Sequence, residues 1–396
     1  MKVTTIASFP AEHAYQLLEK HAEQYGTLWL CSSGNHQSLS QHDIICLAPS
    51  HWYRFNNHEW LDANHQATDL IELIASHQKS TSHQNDLFCG GFAGYYGYDA
   101  QQITVNRDRH QPSDNGWVGY YPSAILIDIA TSEAKVVTCD PNGLDHWQVI
   151  SELISVSPRI AAPTQAFALN KPFQCTQTPA QRYNAIASAL EYIAAGDCYQ
   201  VNIAAHWQAA YSGSTWAAFK RVKEALAAPF SGWLNMGTYQ LMSFSPERFI
   251  QSNGDQIASL PIKGTRKRSP DHAEDTRLIN ELLSSEKDHA ENVMIVDLIR
   301  NDLGMSCQTG SVNANDIWQL QSFSNVHHLV SKVTGQLKPG LTAFEAFNQA
   351  FPGGSITGAP KRRAMQIIEE LEGHPRGPYC GSLFYADAQG NFDSNI

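Results

Sequence analysis

The stretch SFSPERFIQSNGDQIASLPIKGT, residues 243–265, reads as a strand, a tight turn and a returning strand. Phe249 and Ile250 supply the β-forming run, Asn253-Gly254 the turn, and QIASLPI the way back. Two ionisable residues sit in apolar company on this hairpin. Glu247 has Phe244, Phe249 and Ile250 around it, and Lys263 lies between Pro261-Ile262 and Gly264-Thr265. Burial raises the pKa of a carboxyl group and makes it a proton donor near neutrality. A lysine in an apolar pocket turns the other way and becomes an amine nucleophile. The residues leave three uses for Lys263 open: a solvated charge, a phosphate holder or a reacting group. With the turn at Asn253-Gly254, Glu247 faces Leu260 and Lys263 points to the other side of the sheet. Pro261, confined in sheets to edges and bulges, is then the feature able to re-aim the lysine.

The chain around this hairpin has 396 residues, 42% apolar and 16% charged, enough for a large core. A formal net charge of -11 speaks against nucleic acid or a membrane surface as partner, and Arg266-Lys267-Arg268 is a short run suited to a solvated loop. The eight cysteines are scattered singly, as in a reducing compartment rather than a disulfide framework or zinc site. The opening MKVTTIASFPAEHAYQLLEK lacks the apolar core of a signal peptide, and no apolar run reaches spanning length. A cytoplasmic protein is expected.

Residues 1–165 read as a β-rich half, with strands at TLWLC (27–31), DIICLA (43–48) and SAILIDIA (123–130). In GGFAGYYGYD (90–99) the glycines alternate with bulky aromatics and no helix pattern follows, so they read as close strand packing rather than a dinucleotide loop. SPRIAAPTQAFALNKP (157–172) is the linker candidate, and 176–396 the second region. TPAQRYNAIASALEYIAAG predicts a helix with Thr178 as cap, Pro179 at its first position and Gly196 just past its end. CYQVNIAAHW (198–207) reads as one strand, and helices are expected over 270–301 and 358–372. GSLFYADAQGNFDSNI reads as strand, turn and a strand that stops at Ile396, as though a sheet were cut short.

Three further stretches carry polar chemistry. FPGGSITGAPKRRAM (351–365) is no Walker loop, but a glycine-rich turn entering a helix offers backbone donors, here Thr357 and Gly358, to a phosphate or carboxylate; a plain tight turn is the alternative. In SSEKDHAENVMIVDLIRNDLG (284–304), Glu291 borders the apolar stripe and is the one carboxylate placed to reach inward to Mg²⁺. His327 and His328 are consecutive, so in a strand they face opposite sides and one is free to meet a ligand.

SPERF, PIKGT, EKDxAENxMIVDLxRND, HHLVS and FPGGSITGAPK, in this order, resemble the motifs of the chorismate-utilising enzymes, the anthranilate synthase component I-like family. The likeness is strongest to their aminodeoxychorismate synthase component I branch. It is close over 176–396 and looser in the first half, through GGxxGxxGYD. The resemblance implies an α/β (α+β) fold: a large two-sheet sandwich with helices outside and interleaved halves, here with C-terminal strands missing. It implies a transaminase-type transferase that converts chorismate and ammonia, delivered by a glutamine amidotransferase subunit, to 4-amino-4-deoxychorismate for 4-aminobenzoate and folate synthesis.

By the same resemblance Lys263 is the nucleophile and Glu247 the general acid. Thr265, His328, Ser355, Thr357, Gly358, Tyr385 and Gln200 contact substrate; Mg²⁺ sits at Glu291 with further ligands beyond Ile396; and Ser33 marks a tryptophan pocket. Anthranilate and isochorismate synthases carry alanine at the position of Lys263, and members that add water carry lysine at that of Gln200. Phe384 stands where glycine is usual, crowding the pocket beside Tyr385, and His289 replaces an arginine beside Glu291. Two rivals stand beside this reading. One is anthranilate synthase component I, against which Lys263 argues; the other, because a substrate arginine and a Glu-x-x-Glu ligand pair fall beyond Ile396, is an inactive chorismate- or amino-acid-binding partner of the amidotransferase.

Overall fold

A strand covered on both faces needs apolar residues at successive positions, and LWLC, AILID and GFAGYY have them. The computed structural model describes residues 3–32, 41–56, 58–78, 87–100, 115–156 and 166–396, and sets these strands in two large antiparallel sheets. The smaller runs Thr4–Pro10, Glu133–Thr138, Ala124–Asp128, His42–Cys46, Leu28–Cys31, Phe230–Asn235, Gln240–Ser245. The larger runs Ile262–Lys267, Val326–Gln336, Gln256–Leu260, Arg248–Asn253, Phe392–Asn395, Ser382–Asp387, Gly91–Tyr96, Gly116–Tyr121, His51–Asn56, Glu59–Asp62, with Asn313–Ser322 also on Val326–Gln336. Both sheets mix strands from before residue 140 with strands from after residue 229.

Alternation sorts the side chains into three cores. Leu28, Ile44, Leu126 and Leu234 of one sheet meet Ala93, Tyr95, Trp117 and Leu383 of the other. Their neighbours Trp29, Ile45, Ile125 and Trp233 turn outward against Ala14 and Leu18 of helix Ala11–His21 and Phe219 of helix Thr215–Leu226. On the far side Phe92, Tyr96, Phe249 and Phe384 pack on helices Leu70–His77, Glu286–Ser306 and Ala343–Ala350. The order is helices, sheet, sheet, helices. Among the described residues no helix is long and apolar enough to cross a membrane.

The glycine cluster packs as its aromatic spacing implies. A Cβ on Gly94 would stand 2.2 Å from the Trp117 carbonyl oxygen and 2.7 Å from Val118 Cα, so the two strands touch through bare backbone. Gly94→Ala should therefore cost about 3 kcal/mol or more, as overpacking against backbone does. An unchanged urea midpoint would refute this reading.

The helix Pro179–Ala194 has the expected Thr178 cap, closed into a capping box by Gln181, and Gly196 follows with φ +83°. Two other expectations need correcting. Residues 198–207 are not one strand: only Gln200–Val201 and Trp207–Gln208 pair, with different partners. The helix expected over 270–301 is two, His272–Leu283 and Glu286–Ser306, because Ser285 caps a new start through Asp288. Residues 157–165 of the linker candidate lie outside the described residues.

Candidate active site

The hairpin turns one residue later than its Asn-Gly signal suggested. Asn253 pairs with Gln256, leaving Gly254 and Asp255 as the loop, and the register then slips between Gln251 and Arg248, which faces Leu260. Pro261 ends the strand, and Ile262–Lys267 restarts against Val326–Gln336 with a second irregularity between Ile262 and Thr265. Gly264 takes φ +90° within it. The expectation that Lys263 points away from Glu247 is thereby overturned: two departures from period two bring both inward.

Their meeting point is Ser355. Lys263 Nζ donates to the Ser355 carbonyl at 3.1 Å. Glu247 retains a little accessible surface but is ringed by protein, and this burial pushes its pKa up to about 7. The Ser355 hydroxyl, the Lys263 charge and the Ile262 backbone pull the other way and lose. The Ser355 hydroxyl nevertheless completes no well-formed hydrogen bond among the described residues. A cavity of about 430 Å³ adjoins this centre, walled by Ser245, Pro246, Ile356, Tyr379 and Ile396.

The glycine-rich turn differs from the anion cradle expected of it. Its helix, Lys361–Glu372, begins only after the short strand Gly358–Ala359. The helix N-terminus is therefore not at Ser355. Thr357 is fully buried; its hydroxyl donates to the Gly353 carbonyl at 3.0 Å and its N–H to that of Gly354 at 3.4 Å. Both donors are used inside the turn, which corrects their assignment to a ligand. Gly358 instead permits close approach: at φ +140°, its Cβ would lie 2.1 Å from the Gln200 carbonyl oxygen. Gln200 pairs with Ala359, and its buried Oε1 finds no hydrogen-bond partner among the described residues. Lys361 anchors the turn, its Nζ reaching Asp302 at 2.6 Å and the Ala350 carbonyl at 2.7 Å.

Thr265 pairs across strands with His328, their Oγ1 and Nδ1 2.8 Å apart. Burial drives the His328 pKa down to about 4, so its ring is neutral near pH 7. His327 turns away to Asp275 at 3.0 Å and Ser322 at 2.7 Å, holding structure. Glu291 is half-exposed, and Lys287 lies 3.8 Å from it. Among the described residues no group of three or more His, Cys, Asp or Glu is placed to hold a metal ion. His289 stacks on Trp318 at 4.3 Å.

Tyr385 is not brought to this centre. The pleat sends it toward the other sheet, where with Cys31, Phe88, Arg248, Asp393 and Asn395 it lines a second cavity of about 330 Å³. Phe384, one position earlier, faces the helices and packs 5.2 Å from Phe344 and 5.9 Å from Phe392, so it crowds no pocket. Tyr379, missed in the sequence, lines the first cavity together with Tyr95 and Phe244 and is 59% exposed. Its position in the Pro378–Gly381 turn, outside any periodic pattern, was the available signal. Ser33 lies outside the described residues.

An acid and an amine thus converge beside an open cavity, in a fold of two antiparallel sheets. The sequence profile of chorismate binding enzymes matches residues 27–396, and the chain belongs to that family. It is 39% identical over 320 residues to aminodeoxychorismate synthase component 1 of Escherichia coli (strain K12), covering 80% of this chain and 69% of that protein. Anthranilate synthase component 1 of Thermus thermophilus is 34% identical over 321 residues, 77% of this chain and 68% of the relative. The crystal structure of anthranilate synthase component I from Streptococcus pneumoniae TIGR4 superposes with TM-score 0.78 at 28% identity, over 90% of this chain and 83% of that one.

Proposed function

We propose that the chain acts as an aminodeoxychorismate synthase component I, replacing the C4 hydroxyl of chorismate with an amino group. The observation that carries this reading is the convergence of Lys263 and Glu247 on Ser355, with Glu247 held near pKa 7. The Lys263 amine attacks ring carbon 2 while both ring double bonds shift and the C4 hydroxyl leaves with the Glu247 proton as water. Ammonia then attacks carbon 4, the two double bonds shift back, and the lysine amine departs. One hard displacement becomes two allylic ones. Neutral His328, Ser355 and Gln200 offer uncharged polar contacts, and glutamine is no base for adding water. Relatives named "component 1" point to a partner component, and we assign it the supply of ammonia.

Members of the family generally use Mg²⁺. Glu291 has the right chemistry for it, but its neighbour is Lys287 and the described carboxylates do not complete a set. The cavity beside Cys31 has room for an amino acid, and tryptophan is our proposed occupant.

The test is incubation with chorismate, Mg²⁺ and an ammonium salt, followed by the lyase that makes 4-aminobenzoate. 4-Aminobenzoate is expected. Anthranilate would favour the rival enzyme, to which the relatives at 34% identity give standing. Chorismate binding without either product would favour the binding-protein reading.

A further inference from the structure

One buried charge pair ties the walls of the site together. Arg376 and Glu372 are 7% and 5% exposed, joined from Nε to Oε2 at 3.0 Å and from Nη2 to Oε1 at 2.7 Å. The rest of the guanidinium fork serves other segments. Nη1 donates to the Ile356 carbonyl at 2.9 Å and Nη2 to that of Asn202 at 2.5 Å. Glu372 Oε1 accepts the Ala204 N–H at 2.7 Å. The guanidinium also lies over the rings of Tyr98 at 4.8 Å and Tyr379 at 5.9 Å. A single ion pair thus holds the end of helix Lys361–Glu372, the segment 200–204, the Ser355 turn and the cavity-lining Tyr379.

A buried ion pair is a weak source of stability, because desolvation offsets most of the attraction. A planar fork with fixed donor directions is a strong source of geometry. The two segments it locks each carry one of the buried polar atoms that complete no well-formed hydrogen bond among the described residues: Oε1 of Gln200, and Oγ of Ser355, which faces Glu247. Arg376 bonds the carbonyl one residue after Ser355 and two after Gln200. We propose that Arg376 is a positioning residue, which with Glu372 sets the separation of Gln200 and Ser355 so that both side chains meet polar groups of one bound substrate. This rests on the function proposed above.

Two full-chain variants test it. Arg376→Lys keeps the charge but loses the fork. Arg376→Met with Glu372→Met keeps the packing volume and leaves no unpaired charge. Calorimetric titration with chorismate should show about ten- to a hundredfold weaker binding in each, with KM rising more than kcat falls. The double variant should melt no lower than about the wild-type temperature. A purely structural role would lower melting and leave the affinity of the folded fraction unchanged. Wild-type affinity in either folded variant overturns the proposal, as does failure of both to fold. Absence of chorismate binding by the wild-type chain instead overturns the parent reading, and this one with it.

Discussion

Lys263→Ala should leave a folded chain that makes no measurable 4-amino-4-deoxychorismate, a loss of about a thousandfold or more in rate. The lysine contributes little to the fold. Its Nζ makes one hydrogen bond, to the Ser355 carbonyl, worth about 1 kcal/mol. Its chemical share is different in kind. Without a bond to carbon 2, ammonia must displace the C4 hydroxyl directly, and the second allylic step disappears. Rapid quench of the wild-type chain with chorismate in the absence of ammonia should trap mass added at Lys263, and the alanine variant should trap none. A rate within about tenfold of wild type would show that the amine only orients substrate.

The sequence made parts of this site readable and hid others for identifiable reasons. Alternating glycine and aromatic residues at 91–97 gave strand packing, since a Cβ-free backbone beside large rings has few other uses. Capping at Thr178 was readable because its partners are local. Lys263 and Glu247 were identifiable as chemistry by residue type, but their geometry was not. The turn lies at Gly254-Asp255, and a slip between Arg248 and Gln251 breaks the period-two count that register arguments rest on. Their common neighbour Ser355 lies 92 residues beyond Lys263, out of reach of any local pattern. Tyr385 was misplaced because a motif match carries no face: Tyr385 and Phe384 point to opposite sides of one strand, each to its own core. Arg376 was silent because its carbonyl partners lie 20 and 174 residues away.

Glu247→Gln should lower the rate by about a hundred- to ten-thousandfold, the range for loss of a general acid, and should also change both pH dependences. With a pKa near 7, the wild-type acid is protonated below neutrality and empties above it, so the alkaline limb of kcat/KM should fall about tenfold per pH unit beyond pH 7. In the glutamine variant that limb should vanish from the residual rate. Stability moves oppositely. The folded pKa is raised from 4.5, so the native state holds a proton that the unfolded chain releases. The advantage of the protonated form is full below about pH 4.5 and lost as pH rises through about 7. Glutamine never ionises, so the variant should gain on the wild type as pH rises, by about 1–3 kcal/mol at pH 8. A residue kept merely for packing would lose stability and activity together. A variant less stable than wild type at pH 8, or one whose alkaline limb persists near pH 7, would remove Glu247 from the role of proton donor.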